Sequence, residues 1–172
     1  MYDYKKSKEA IESILVSPTK IVEKENIPSS DAEFTYENGI KAWVGALFVD
    51  IVDSSNLFKS PNEDTARIIR SFCSEIISIL KDDNNYREIG IRGDCVYCIY
   101  NAPYQTDLVY IFCHAYRINS FMGMLNKLLK KNGYSTIRAG IGLGCSRDLI
   151  IKAGQNGSGI NDKIWIGKAV VD

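Results

Sequence analysis

Ala46-Leu47-Phe48-Val49-Asp50-Ile51-Val52-Asp53-Ser54-Ser55 is an apolar run that ends in carboxylates and hydroxyls. Residues 40–52 are rich in aliphatic side chains with one tryptophan, the composition of a central strand buried on both faces. Period-two geometry puts Phe48, Asp50 and Val52 on one side of it. A carboxylate on an otherwise apolar face costs about several kcal/mol unless it is paired or metal-bound. A second run, Ile91-Arg92-Gly93-Asp94-Cys95-Val96-Tyr97-Cys98-Ile99-Tyr100, carries its carboxylate just after a glycine. Two such carboxylates at adjacent strand ends can hold a pair of divalent cations, the device behind many phosphoryl transfers.

The neighbours of these aspartates differ in weight. Asp53 stands in the turn, where capping a helix or pairing with an arginine suits it better than metal binding. Ile51 contributes through its carbonyl, because backbone at a strand end is free to ligate. Gly93-Asp94 alone is an ordinary turn signal and gains weight only from the partner run at Asp50. Ser54 and Ser55 open a turn into a helix, where backbone N–H groups can cradle a triphosphate or simply serve a cap.

The remaining chain supplies alternating elements. Residues 6–16 read as a short amphipathic helix, and 16–38, with Pro18, Pro28, Ser29 and Ser30, as a polar extended leader. Residues 1–38 are thus expected to form a helix and leader, and 39–172 the domain that carries the carboxylate pair. Residues 63–81 place Ile68, Phe72, Ile76, Ile79 and Leu80 on one helical stripe. Residues 86–91 and 95–100 read as a hairpin turning at Gly93-Asp94. A long helix is expected from an N-cap at Thr106 to about Lys131, with Asn132-Gly133 as its stop. Residues 136–144, 149–153 and 164–166 read as strands, and 168–172 as the first turn of a helix. Gly154 to Gly159 matches no phosphate-loop pattern and suits a sharp β turn. Trp43 and Trp165 are expected in the core. The order predicts an α+β fold, a sheet with helices packed on it.

Bulk properties narrow the class. At 172 residues the chain fits one domain with a sizeable core. Its zero net charge carries no footprint of nucleic acid or of an acidic membrane, so neither is expected as a partner. No apolar run approaches the roughly 20 residues of a membrane span, and the polar start is unlike a signal peptide, so a cytoplasmic location is expected. Five cysteines, an odd number, suggest reduced and mostly buried thiols. Cys95 and Cys98 form a C-x-x-C, but an odd separation on a strand points the two thiols to opposite faces.

Taken together, Phe48-Val49-Asp50-Ile51, Gly93-Asp94 and Trp165-Ile166-Gly167-Lys168-Ala169-Val170 resemble, in order and spacing, the motifs of a class III nucleotide cyclase. Within that family, Ile27-Pro28-Ser29-Ser30-Asp31, residues 48–55 and Gly157-Ser158-Gly159-Ile160-Asn161-Asp162 are similar to the bacterial pyrimidine cyclases of Pycsar antiphage defence. The resemblance implies a ferredoxin-like core with an antiparallel-rich sheet, and a homodimer with active sites at its interface. It implies that Asp50, Asp94 and the Ile51 carbonyl bind two Mn²⁺ or Mg²⁺ ions per active site. It implies that Phe48 lines the base pocket. The product would be a 3′,5′-cyclic monophosphate plus pyrophosphate, a second messenger read by a separately encoded effector.

Departures from the family pattern set the substrate expectation. Purine cyclases usually carry a lysine where this chain has Gly90, and an aspartate or threonine where it has Ile164. Loss of both purine-reading groups favours UTP or CTP without choosing between them. The alternatives are an adenylate or guanylate cyclase with an altered base pocket, and a catalytically weak nucleotide-binding module. Arg92 lies near the base region, where a surface ion pair or a share in base reading would suit it. The family's helix asparagine falls on Val171 and its arginine beyond Asp172. The last catalytic helix is therefore expected to be truncated, with transition-state stabilisation weakened or supplied from elsewhere.

Overall fold

The computed structural model describes residues 2–82 and 84–171. The long apolar run forms β2 (Asn38–Ile51), which lies at the centre of a curled sheet. It pairs antiparallel with β4 (Cys95–Asn101) on one side and with β5 (Ala139–Gly154) on the other. β3 (Tyr86–Arg92) flanks β4, and β6 (Asn161–Ile166) flanks β5. The short β1 (Lys20–Glu23) adds parallel to the start of β2. Helices α3 (Glu63–Leu80) and α4 (Gln105–Lys131) connect β2 to β3 and β4 to β5. The path β2-α3-β3-β4-α4-β5 with sheet order β3-β4-β2-β5 is the ferredoxin-like arrangement that the family resemblance implies.

Alternation along β2 sorts the core into two layers. Leu47, Val49 and Ile51 join Val96, Cys98 and Tyr100 on the face covered by α3 and α4. Ile68, Phe72, Ile76 and Leu80 of α3, with Ile111, Ile118 and Leu125 of α4, close that layer. The opposite face carries Ile40, Ala42, Val44 and Ala46, capped by Ile27 and Phe34 of the leader and by Ala169 of α5 (Lys168–Val171). Phe48, Tyr97 and Trp165 lie at the edge of this second layer, where the face opens. The leader is tied down by backbone bonds: the Ile27 N–H donates to Asn101 Oδ1 (2.8 Å), and Arg87 Nε donates to the Ile27 carbonyl (3.2 Å).

Local expectations met several corrections. The strands expected at 136–144 and 149–153 are one strand, β5, which stays paired with β2 through Cys145, Ser146, Arg147 and Asp148. Polar Ser146-Arg147-Asp148 reads as a break in sequence. In the fold Asp148 is fully buried and takes the Ser146 hydroxyl as partner, while Arg147 reaches out to Glu23 (2.9 Å). The α4 N-cap is Tyr104 and not Thr106, because the Asp107 carboxylate accepts the Tyr104 N–H (2.9 Å). Asn132 and Gly133 do end α4, with Gly133 at φ +81°. Trp43 is 44% exposed and is no core residue, and Trp165 is only partly buried. Of the five thiols, Cys73 and Cys98 are buried, Cys95 is half-buried, and Cys113 and Cys145 are exposed, so "mostly buried" held for two. Cys98 packs among the helices while Cys95 faces the open side near Asp50, the opposed geometry expected of the C-x-x-C. Asp172 lies outside the described residues.

The two layers differ in what they can lose. Phe72 is fully buried between α3 and the sheet. Phe72→Ala is expected to destabilise the protein by about 3–5 kcal/mol, whereas Trp43→Ala at its exposed site is expected to cost under about 1 kcal/mol. Urea unfolding of the two variants checks the contrast.

Candidate active site

The open face ends in a carboxylate pair. Asp50 is the penultimate residue of β2, opposite Gly140 of β5. Asp94 follows Gly93 in the turn between β3 and β4, with Gly93 at φ +63°. Because Val49 pairs with Val96, the end of β2 lies beside the start of β4, and the turn brings Asp94 to Asp50. Burial among neighbouring atoms pushes the Asp50 carboxyl above the ordinary aspartate range, although the side chain itself reaches solvent. The Asp94 charge and a hydrogen bond with Asp94 push it further, and the Ile51 N–H partly offsets them. The strand expected to be buried on both faces is therefore open at Asp50. Asp50 stands at the exposed mouth, and its cost comes from a second carboxylate as well as from desolvation.

This donor set suits hard divalent cations. Asp94 Oδ2 is buried and has no hydrogen-bond partner, an oxygen left over for a ligand. The two repelling carboxylates, neither of which forms an ion pair among the described residues, make an anionic pair that a cation relieves. Among the described residues no cluster of three or more His, Cys, Asp or Glu side chains forms a metal cage. Two carboxylates plus backbone and substrate oxygens is the Mg²⁺-type arrangement rather than a zinc one.

The other expected residues fall into three groups. Phe48 and Ile164 line one pocket of about 220 Å³, with Glu88, Arg92, Tyr97, Lys163 and Trp165. Gly90 lies beneath that pocket, directly opposite Tyr97 in the β3–β4 ladder. Ser54 and Ser55 begin α2 (Ser54–Phe58) just after the carboxylate strand and line neither this pocket nor its larger neighbour. That neighbour, about 610 Å³, sits beyond the end of β2, between Ile51, Asn56, Thr65, Tyr134 and Arg138. Asp53 takes the left-handed φ of 59° and pairs with Arg138 (3.0 Å), the arginine alternative weighed for it. Arg92 forms an exposed ion pair with Asp162 (3.5 Å) at the pocket rim.

Sequence reading missed Glu88, Tyr97 and Lys163 and underrated Trp165. Tyr97 stacks on Phe48, ring centroids 6.1 Å apart at 27°. Its hydroxyl donates to Glu88 Oε1 (2.7 Å), and the Trp165 indole N–H makes a longer bond to Glu88 Oε2 (3.4 Å). Burial and then the bond to Glu88 push the Tyr97 hydroxyl up to about 12. Lys163 is held by Asp31 of the leader (2.8 Å). The hairpin carries the signal for only part of this cluster: a turn at Gly93-Asp94 fixes Gly90 opposite Tyr97, whereas Phe48 joins them only through the pairing of β4 with β2.

No protein-family model matches the chain. Two curated proteins do. The chain is 45% identical over 170 residues to a uridylate cyclase of Treponema porcinum, covering 98% of this chain and 59% of that protein. It is 32% identical over 177 residues to a uridylate cyclase of Gulbenkiania mobilis, covering 98% and 68%. The chain thus spans roughly three-fifths to two-thirds of these relatives. Among solved structures, a class III adenylyl cyclase-like ATP-binding protein from Pseudomonas aeruginosa superposes with a TM-score of 0.74 at 17% identity, over 97% of this chain and 38% of that one. That likeness carries the fold. Among the described residues no helix is long and apolar enough to cross a membrane.

The carboxylate pair has a measurable consequence for stability. A carboxyl whose pKa is raised by folding stabilises the native state below its unfolded value of 3.8, and that contribution is lost as pH rises through the folded value. Asp50→Asn is therefore expected to stabilise the protein in chelator at pH 7 by about 0.2–1 kcal/mol, discounted for solvent exposure. The gain is expected to vanish well below pH 3.8, where wild-type Asp50 becomes neutral in both states. Urea titrations across this range give the sign.

Proposed function

The chain belongs to the uridylate cyclase family of class III nucleotide cyclases, and from that premise we propose that it converts UTP, or CTP, to the 3′,5′-cyclic monophosphate and pyrophosphate. The observation that carries the reading is the Asp50–Asp94 pair, with its buried, unpartnered Asp94 oxygen, set beside a stacked aromatic pocket that lacks the purine-reading side chains.

Asp50, Asp94 and the Ile51 carbonyl would hold two Mg²⁺ or Mn²⁺ ions. When bound, these supply Lewis acidity that eases loss of the ribose 3′-OH proton and neutralise charge on the departing pyrophosphate. The chain's own residues bind and orient. Phe48 and Tyr97 offer a stacked wall for the base. Ser54 and Ser55, which open α2 three residues after the end of β2, would meet the triphosphate with their N–H groups. In the reaction the O3′–Pα bond forms, the bond from Pα to the bridging oxygen breaks, and the 3′-OH proton leaves. The resemblance to class III cyclases supports assembly as a homodimer with sites completed at the interface. A role in antiphage signalling through a separate effector, in the cytoplasm, follows from the resemblance to Pycsar cyclases.

Ile164 and Gly90 present no hydrogen-bonding side chain toward the base, and a site without the purine contacts forfeits a discrimination that such contacts normally supply. Incubating the protein with Mn²⁺ and each ribonucleoside triphosphate, with products identified by mass, tests the assignment. Cyclic UMP or cyclic CMP is expected; cyclic purine products alone overturn it. Asp50→Ala and Asp94→Ala are each expected to lower kcat at least about 100-fold. Full activity in either variant refutes the metal assignment.

A further inference from the structure

Glu88, Gly90, Tyr97 and Trp165 act as one unit at the base pocket. A Cβ at Gly90 would lie 2.5 Å from both Cζ and Oη of Tyr97. The Tyr97 ring therefore lies flat across β3, in the space a side chain at residue 90 would take. The ring is fixed at two points. Its face stacks on Phe48, and its hydroxyl donates to Glu88 Oε1 at 2.7 Å. Glu88 sits two residues before Gly90 on the same face of β3, and its second oxygen accepts the Trp165 N–H at 3.4 Å. One carboxylate thus ties β3, β4 and β6 together around the pocket.

We propose that Glu88 is a positioning residue that holds the Tyr97 ring and the Trp165 indole as two walls of the base pocket, and that the held Tyr97 ring excludes two-ring bases. The inference rests on the nucleotide-cyclase reading above. On this account the lysine of purine cyclases is not merely missing at Gly90. Its space is filled by an aromatic ring whose position depends on a hydrogen bond. A carboxylate accepting from both a phenol and an indole satisfies two half-buried donors at once, and its loss frees both rings to change rotamer. The Tyr97 hydroxyl, pushed up to about 12, stays a donor throughout the neutral range.

The test measures kcat and KM for UTP and ATP with Mn²⁺ in wild type, Glu88→Ala, Glu88→Gln, Tyr97→Phe and Tyr97→Ala. Glu88→Ala and Tyr97→Ala are expected to raise the ATP-to-UTP ratio of kcat/KM at least tenfold, mainly through KM. Tyr97→Phe keeps the ring but loses the anchor, and a smaller shift in the same direction is expected. Glu88→Gln keeps an acceptor oxygen for the phenol and is expected to restore most of the wild-type ratio. Circular dichroism confirms folding, and if Tyr97→Ala does not fold, the two conservative variants carry the comparison. Equal loss of kcat/KM for UTP and ATP in the variants overturns the proposal and leaves the cyclase reading standing. A wild type that cyclises no nucleotide overturns the cyclase reading instead. The same ratio is then read from dissociation constants of the two nucleotides in Ca²⁺, where an unchanged ratio, or no binding of either nucleotide, sinks the proposal.

Discussion

The register of β2 against its two neighbours governs everything at the open end of the sheet. β2 is paired with β5 from Gly39 to Ile51 and with β4 from Val44 to Val49, so its alternation is fixed twice over at the site end. That register sends Leu47, Val49 and Ile51 into the helix layer and leaves Phe48 and Asp50 on the open face. A slip of one residue would bury the carboxylate under α3 and α4 and expose three core side chains. The site is thus specified by hydrophobic burial one residue away from it on either side.

Much of this was legible in the chain. The long apolar run, the hairpin at Gly93-Asp94 and the apolar stripe of α3 each follow from local periodicity, and the structure has all three. What was illegible depends on groups distant in sequence. Asp148 reads as a strand breaker until the Ser146 hydroxyl is seen to bond it and Gly167 to cover it, with a Cβ at Gly167 coming within 2.0 Å of Asp148 Oδ1. The cap of α4 was misassigned by two residues because capping depends on which carboxylate turns back, and Asp107 does. The aromatic pocket was missed because each member looks ordinary alone. Only the pairing of three strands brings Phe48, Gly90 and Tyr97 to one place, and only β6 adds Trp165.

The electrostatic character of the two halves of the site is opposite. At the strand end, two carboxylates repel and one oxygen has no partner, an arrangement that remains costly until a cation enters. In the pocket, a carboxylate is surrounded by donors, and that region is settled before anything binds. The first half stores unfavourable charge for a ligand to release, and the second fixes a shape for a ligand to match. Lys163 joins the pocket to the leader through Asp31, so the segment before the central strand helps build the pocket rim.

Three glycines of β5 share the open face beside Phe48 and Asp50, and they are not equivalent. Gly144 is required by the close approach of α5, since a Cβ there would lie 2.4 Å from the Ala169 carbonyl oxygen. Gly140 and Gly142 face open space, with nothing within 4 Å of a built Cβ. Packing does not defend those two positions, and β-strand entropy disfavours glycine at them. Drift would fill them with alanine, serine or valine at no cost to the fold. Whatever keeps them bare acts through what must pass alongside Asp50. The residues found there in any descendant of this chain therefore form a record of use, distinguishing lineages that still admit a substrate from those that retain only the scaffold.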